Sequence, residues 1–251
     1  MLNANLRRVA EKWLPGFFLK VLDPFEVRVN LELAAFVAGL PPHLRVLDAG
    51  AGECRYAPLF QRHHYVALDS AVGDAAWDYS KLNLLGDLEL LPLASASFDA
   101  AISIVTLEHA REPGRVMKET ARVLRPGGKL FLVVPNQWEV HQAPHDFFRF
   151  TRYGLEHLLS QSGFKVLKIE PIGGFFWMMS RRSINLLTFF QGGWKWSLFV
   201  LMVPFLGFLF PLLCFFLDRL DKRKDFTLGY VSVAERLNGT VGTRKSADAT
   251  E

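Results

Sequence analysis

Residues 45–52 read Arg-Val-Leu-Asp-Ala-Gly-Ala-Gly. Val46 and Leu47 form a short apolar run that ends in Asp48, and Gly50 and Gly52 then punctuate a tight turn. Helix-like sequence follows from Arg55. A strand, a glycine-rich loop and a helix start in that order let backbone N–H groups approach a nucleotide-like ligand closely. A dinucleotide fingerprint would need a third glycine three positions after Gly52, where this chain has Arg55, so that fingerprint fails.

Outward from this loop the pattern alternates. Strands are expected at Arg45–Asp48, Tyr65–Asp69, Lys81–Leu85, Phe98–Val105, Lys129–Val134, Phe164–Glu170 and Thr227–Glu235. Phe98–Val105 is nearly all apolar, as a parallel strand covered on both faces should be. Helices are expected over Pro24–Gly39, over Pro113–Leu124 with a turn at Arg125-Pro126-Gly127-Gly128, and from the N-cap Thr151 to Gly163. Residues 2–22 have helical apolar spacing interrupted at Pro15-Gly16, and read either as a helix packed on the domain or as an interfacial one. The fold class implied is α/β: a Rossmann-like, seven-stranded, mostly parallel sheet with helices on both faces, plus a hydrophobic helical insert between strands 6 and 7. Ligands of such sheets sit at the carboxyl ends of the strands, where Asp48, Asp69, Asp87 and His109 fall.

The chain has 251 residues, enough for one such domain with an appendage, and a net charge of +4. No aromatic-interleaved basic stripe accompanies that charge, so nucleic acid is not an expected partner. Cys54 and Cys214 lie outside any CxxC or Cys/His spacing. Both read as reduced thiols in a cytosol-facing protein, and no metal site is expected. Arg7 and Arg8 are followed by Glu11, Lys12, Pro15 and Lys20, which prevent a clean signal-peptide apolar region.

Six blocks occur in order: Asp48-Ala-Gly50-Ala-Gly52; Ala67-Leu-Asp69; Gly86-Asp87-Leu88 through Pro92-Leu93; Ser97-Phe98-Asp99; Leu107-Glu108-His109; and Val123-Leu-Arg-Pro126-Gly127-Gly128. From Leu44 to Gly174 the chain resembles the class I S-adenosylmethionine-dependent methyltransferases, specifically the "type 11" small-molecule group. That resemblance implies S-adenosylmethionine as cofactor. It implies Gly50 and Gly52 under the cofactor's methionine part, Asp48 organising the loop, Asp69 accepting from the ribose hydroxyls, and Asp87 with the Leu88 backbone at the adenine. Cys54 stands where the family often has a third glycine. A base is needed only if the acceptor must lose a proton. Candidates are His109, His141, His145 and Asp146, the last two in the segment His145-Asp146-Phe147-Phe148-Arg149-Phe150-Thr151. The alternative for His145 and Arg149 is a structural tie of the loop to the domain. Asn136, Trp138 and Arg149 are expected to line the acceptor pocket.

Ser197–Leu217 is a run of 21 residues without charge, 15 of them Leu, Phe or Val. As a helix it spans roughly 31 Å, about the hydrocarbon thickness of a bilayer. Strands 6 and 7 should share one sheet, so a single crossing would strand one of them. The expectation is a re-entrant hairpin bending near Pro204–Pro211, or helices lying in the interface, with Phe175–Phe190 as an amphipathic helix. A buried helical pair in a soluble lid is the competing reading. The organisation expected is a helical cap (1–43), a methyltransferase core (44–174), a hydrophobic insert (175–226), the last core strand (227–237) and a polar tail (238–251). The functional expectation is methylation of a lipophilic or lipid-linked small molecule at the cytoplasmic face of a membrane, attached through residues 175–217. The alternatives are the same chemistry on a soluble metabolite or natural product with the insert as anchor only, and a non-catalytic membrane adaptor that keeps the fold.

Overall fold

The computed structural model describes residues 21–73 and 76–238. The helix expected over residues 2–22, save its last turn, and the tail past Asn238 lie outside the described residues. Seven strands, β1 (Arg45–Ala49), β2 (His64–Asp69), β3 (Leu84–Leu85), β4 (Phe98–Ile104), β5 (Leu124–Pro135), β6 (Phe164–Pro171) and β7 (Gly229–Arg236), form one sheet in the order β3-β2-β1-β4-β5-β7-β6. The sheet is mostly parallel, with helices on both faces. β1 pairs in parallel with β2 and β4, placing Asp48 opposite Ala67 and Ile102. Asp69 is opposite Leu85 of β3.

The chain divides into two units. One comprises residues 40–132, 140–169 and 232 onward, and holds β1 to β4 and the greater part of β5. Its interior is the apolar strand sequence: Val46, Leu47, Phe98, Ala100, Ala101, Ile102, Leu130, Phe131 and Leu132 are 0% exposed. Full burial of each larger side chain contributes about 1.5–3 kcal/mol. Its helices are α2 (Pro113–Val123), which starts with proline in its first turn, and α3 (Arg152–Gln161). The Thr151 side chain caps α3 by accepting from the Gly154 N–H at 3.1 Å, and Gly163 follows at φ 89°.

The other unit comprises residues up to Gly39, residues 133–139 and residues 170–231. It contains α1 (Pro24–Ala38), whose Phe25, Val29 and Leu33 are buried at successive four-residue steps. It also contains the whole insert between β6 and β7. That insert is the helix Phe175–Leu186, then Trp196–Pro204, a π-helical turn at Phe205–Leu209, and Phe210–Leu217.

Three elements depart from expectation. Strand 3 is reduced to Leu84–Leu85, because Asp78 accepts from the Ser80 N–H and winds Tyr79–Lys81 into a 3-10 turn. Arg125–Gly128 is not a separate turn but the opening of β5, with Gly127 at φ 77° taking the bend. The insert does not reverse near Pro204–Pro211: Gly193–Leu220 runs on as 28 helical residues. Pro204 and Pro211 each remove one N–H from the ladder, and the π turn at Phe205–Leu209 between them absorbs the irregularity.

Candidate functional site

Asp48, near the end of β1, is 1% exposed. Burial pushes its carboxyl up to about 7, against the hydrogen bond it accepts from the Tyr65 hydroxyl; the nearby Asp69 charge raises it further. The chain then turns through Gly50 (φ 89°) and Gly52 (φ 50°). A methyl group on Gly50 would lie 2.1 Å from the Thr106 side chain, and one on Gly52 3.1 Å from the Trp77 ring. Gly50 is thus required on backbone and contact grounds together, and a side chain at Gly52 would be strained and press on the Trp77 ring. Cys54, where a third glycine was expected, adopts φ 57° with its side chain buried against Ala51 and Ala67. Burial, then the Asp48 charge, pushes its thiol up, so it is held as the neutral thiol.

Asp69 joins this loop to the end of β2. Its Oδ2 accepts from the Gly52 N–H at 2.9 Å and its Oδ1 from the Ala71 N–H at 2.8 Å. Each oxygen keeps a further lone pair for an incoming hydroxyl. The Gly86 N–H donates to the Asp69 carbonyl at 3.0 Å, which brings Asp87 and Leu88 alongside. Asp87 is exposed and accepts from the Glu89 N–H at 2.8 Å. Asp48, Gly50, Gly52, Asp69, Asp87 and Leu88 thus line one edge of the sheet within one unit. Trp77, over Gly52, was not singled out in the sequence. Its signal is weak, since no motif surrounds it.

β4 leads to a 3-10 turn at Leu107–His109, tied to the loop because the Thr106 hydroxyl donates to the Gly50 carbonyl at 3.3 Å. Glu108 there is 0% exposed. Its carbonyl accepts from the Phe147 and Phe148 N–H groups at 2.9 and 3.3 Å, which pins the 141–150 loop to the turn. His109 Nδ1 donates to the His145 carbonyl. The Asp146 oxygens are held by a bidentate Arg149 (2.6 and 2.7 Å) and by the His141 N–H (2.8 Å), and His141 Nδ1 faces Oδ2 at 3.5 Å. Arg149, partly offset by burial, holds the Asp146 carboxyl at about 2. The histidine facing Asp146 is therefore His141, not the adjacent His145. His145 contributes its backbone carbonyl, and its ring lies edge-on to Phe147. Arg149, read as an acceptor-pocket residue, is an anchor for Asp146.

Asn136 and Trp138 belong to the other unit. The Asn136 N–H donates to the Leu228 carbonyl at 2.8 Å. Trp138 is 8% exposed, between the Phe25 ring at 4.6 Å and the Arg181 guanidinium, 3.5 Å from the ring centroid. Arg181 also forms a bidentate pair with Glu139, joined by Arg182 at 3.5 Å and Asn185 at 3.2 Å. Burial alone would raise the Glu139 carboxyl, but Arg181 holds it at about 2. The polar residues of the expected amphipathic helix thus converge on a carboxylate. A cavity in this unit is lined by Phe25, Trp177, Arg181, Ile184 and Asn185 among others.

A protein family described as "Methyltransferase domain" matches residues 47–132. An O-methyltransferase of Pyrenophora dematioidea is 28% identical over 157 residues, covering 52% of this chain and 58% of that protein. O-methyltransferase rstn1 of Aspergillus nomiae is 30% identical over 152 residues, covering 51% of this chain and 67% of that protein. The chain spans about half the length of the first curated relatives it matches. Among solved structures, the Burkholderia thailandensis 1,6-didemethyltoxoflavin-N1-methyltransferase with bound 1,6-didemethyltoxoflavin and S-adenosylhomocysteine superposes with a TM-score of 0.51 at 16% identity, over 87% of this chain and 79% of that one. That likeness concerns the fold.

Proposed function

The chain belongs to the class I S-adenosylmethionine-dependent methyltransferases, and from that premise we propose that it methylates a small molecule, a metabolite or natural product, from a membrane surface to which its insert attaches. One observation carries the cofactor assignment: a buried carboxyl (Asp48), two glycines at positive φ and a strand-end carboxylate (Asp69) share one loop. S-adenosylmethionine supplies a methyl group already activated on a sulfonium. The protein's task is to align the acceptor with it and exclude water, for which proximity is worth up to about 7–11 kcal/mol. We assign the ribose hydroxyls to Asp69, the ammonium to Asp48, and the adenine to Asp87 and the Leu88 backbone. We place the acceptor beside His109, which the His145 carbonyl positions, and His141, which faces Asp146.

Membrane attachment is supported by the 28-residue helix Gly193–Leu220, of whose most apolar window 11% is buried. Leu201, Phe205, Leu209, Leu213, Phe216 and Leu220 are each at least half exposed and recur every three or four residues along one side. Lys195 precedes the run and Arg219, Lys222, Arg223 and Lys224 follow it, which suits two ends on the cytoplasmic face. Because β6 and β7 are neighbours in one sheet, the reading is a helix lying in the interface with that side toward the acyl chains. The same stripe supports a second reading, in which the acceptor itself is lipophilic or lipid-linked and arrives through the membrane.

Calorimetry of the full chain with S-adenosylmethionine tests the core of this reading. Asp69→Ala is expected to weaken binding about 10–100-fold, the loss of charge-assisted hydrogen bonds. Absence of binding by the folded wild type would favour the adaptor. Labelled cofactor incubated with soluble and membrane extracts then identifies which fraction holds the acceptor.

A further inference from the structure

Glu108, His109 and His141 place one ligand atom each within 4.8 Å of one another. His109 Nε2 is 3.7 Å and His141 Nε2 3.3 Å from Glu108 Oε1. Around a four-coordinate zinc ion with bonds near 2.0–2.1 Å, neighbouring ligand atoms lie about 3.4 Å apart, so these separations fit a shared ion with little movement.

Two further observations point the same way. Glu108 is 0% exposed, and both of its carboxylate oxygens, like His109 Nε2, are buried without a hydrogen-bond partner among the described residues. A buried carboxylate in that state is costly unless a cation meets it. In addition, both imidazoles are oriented from behind. A carbonyl can only accept, so His109 Nδ1 carries a hydrogen toward the His145 carbonyl, which directs its Nε2 lone pair into the cluster. His141 Nδ1 faces Asp146, itself fixed by Arg149. Carboxylates and carbonyls behind the imidazoles are the usual outer support of metal-ligating histidines.

We propose that Glu108, His109 and His141 form a binding site for a divalent transition-metal ion of the zinc type. Two imidazoles and one carboxylate suit zinc and its first-row neighbours better than magnesium or calcium, and three protein ligands leave a coordination position open. The Thr106–Gly50 hydrogen bond sets the site beside the cofactor loop. The site stands on geometry alone. Its use as a Lewis acid for an acceptor oxygen rests on the methyl-transfer reading. No metal was expected from the cysteine spacing, and Glu108-His109 and His141 lie on separate segments of the sequence.

The test is equilibrium dialysis of the full chain against zinc chloride, without S-adenosylmethionine or acceptor, followed by elemental analysis, with cobalt(II) absorption as a second readout. The wild type is expected to retain about one equivalent and to give the intense visible bands of low-coordinate cobalt. Glu108→Gln and His141→Ala should weaken retention at least about tenfold, and Asp146→Asn, which removes only the outer support, about 10–100-fold. Circular dichroism confirms that each variant is folded, and Asp146→Asn serves if either ligand variant is not. Failure of the folded wild type to retain an equivalent overturns the site, as does equal retention by the folded variants. Cofactor calorimetry on the same preparations reads the methyltransferase assignment separately.

Discussion

At the scale of single residues, Asp48 is a strand-end carboxyl held far above its ordinary range. Burial penalises the charge and pushes its carboxyl up to about 7. A raised carboxyl contributes stability that is fully present below its unfolded value and is lost as pH rises through the folded one. A cofactor ammonium placed beside it reverses the preference. We therefore expect binding of S-adenosylmethionine at pH ~6 to release close to one proton, seen as a dependence of calorimetric enthalpy on buffer ionisation enthalpy. Asp48→Asn should abolish that dependence, and a wild type without it would refute the pairing. The positions of Asp48, Gly50, Gly52 and Asp69 were legible because they follow from local order: a strand end, then a glycine turn. The partnership of Glu108 with His141 was not, because tertiary folding alone brings those segments together. For the same reason the contact of Asp146 with His141 was not legible.

At the scale of elements, the insert is tied together by its own last residues. Gly174 has no side chain to cap the helix Phe175–Leu186. Asp218, 4% exposed, does so from the far end, accepting from the Gly174 and Trp177 N–H groups at 3.0 and 3.1 Å. Asp221 accepts from the Phe175 N–H at 2.8 Å. Asp218→Ala is expected to cost about 1–2 kcal/mol, read as a lower urea midpoint with unchanged slope. An unchanged midpoint would show the cap to be idle. Helix starts such as Thr151 were legible because the cap is local, whereas this one is supplied across the insert. Ser183 is similar: it is buried with its hydroxyl 2.7 Å from the Ser180 carbonyl and 2.9 Å from the Leu206 carbonyl of the long helix.

At the scale of the whole molecule, the apolar strands announced an α/β sheet, and the sheet is present in full. What composition could not say was the path of the insert, since hydropathy counts residues without fixing where a helix bends. The exposed stripe gives the expected behaviour. The full chain should float with liposomes containing anionic lipid, and Leu201→Glu with Leu209→Glu should leave it at the bottom of the gradient while the far-ultraviolet spectrum is unchanged. Flotation of that double variant at the wild-type level would show that the stripe is not the contact.

The strand order carries a consequence for how the chain is made. β7 lies between β5 and β6, yet it is the last of the seven strands in sequence and follows the insert. On the ribosome, β6 emerges with no partner beside it and stays so until every residue of the insert has been translated. The apolar helix is thus synthesised before the sheet closes. A nascent chain can commit that helix to a lipid surface first and complete its catalytic domain there afterwards.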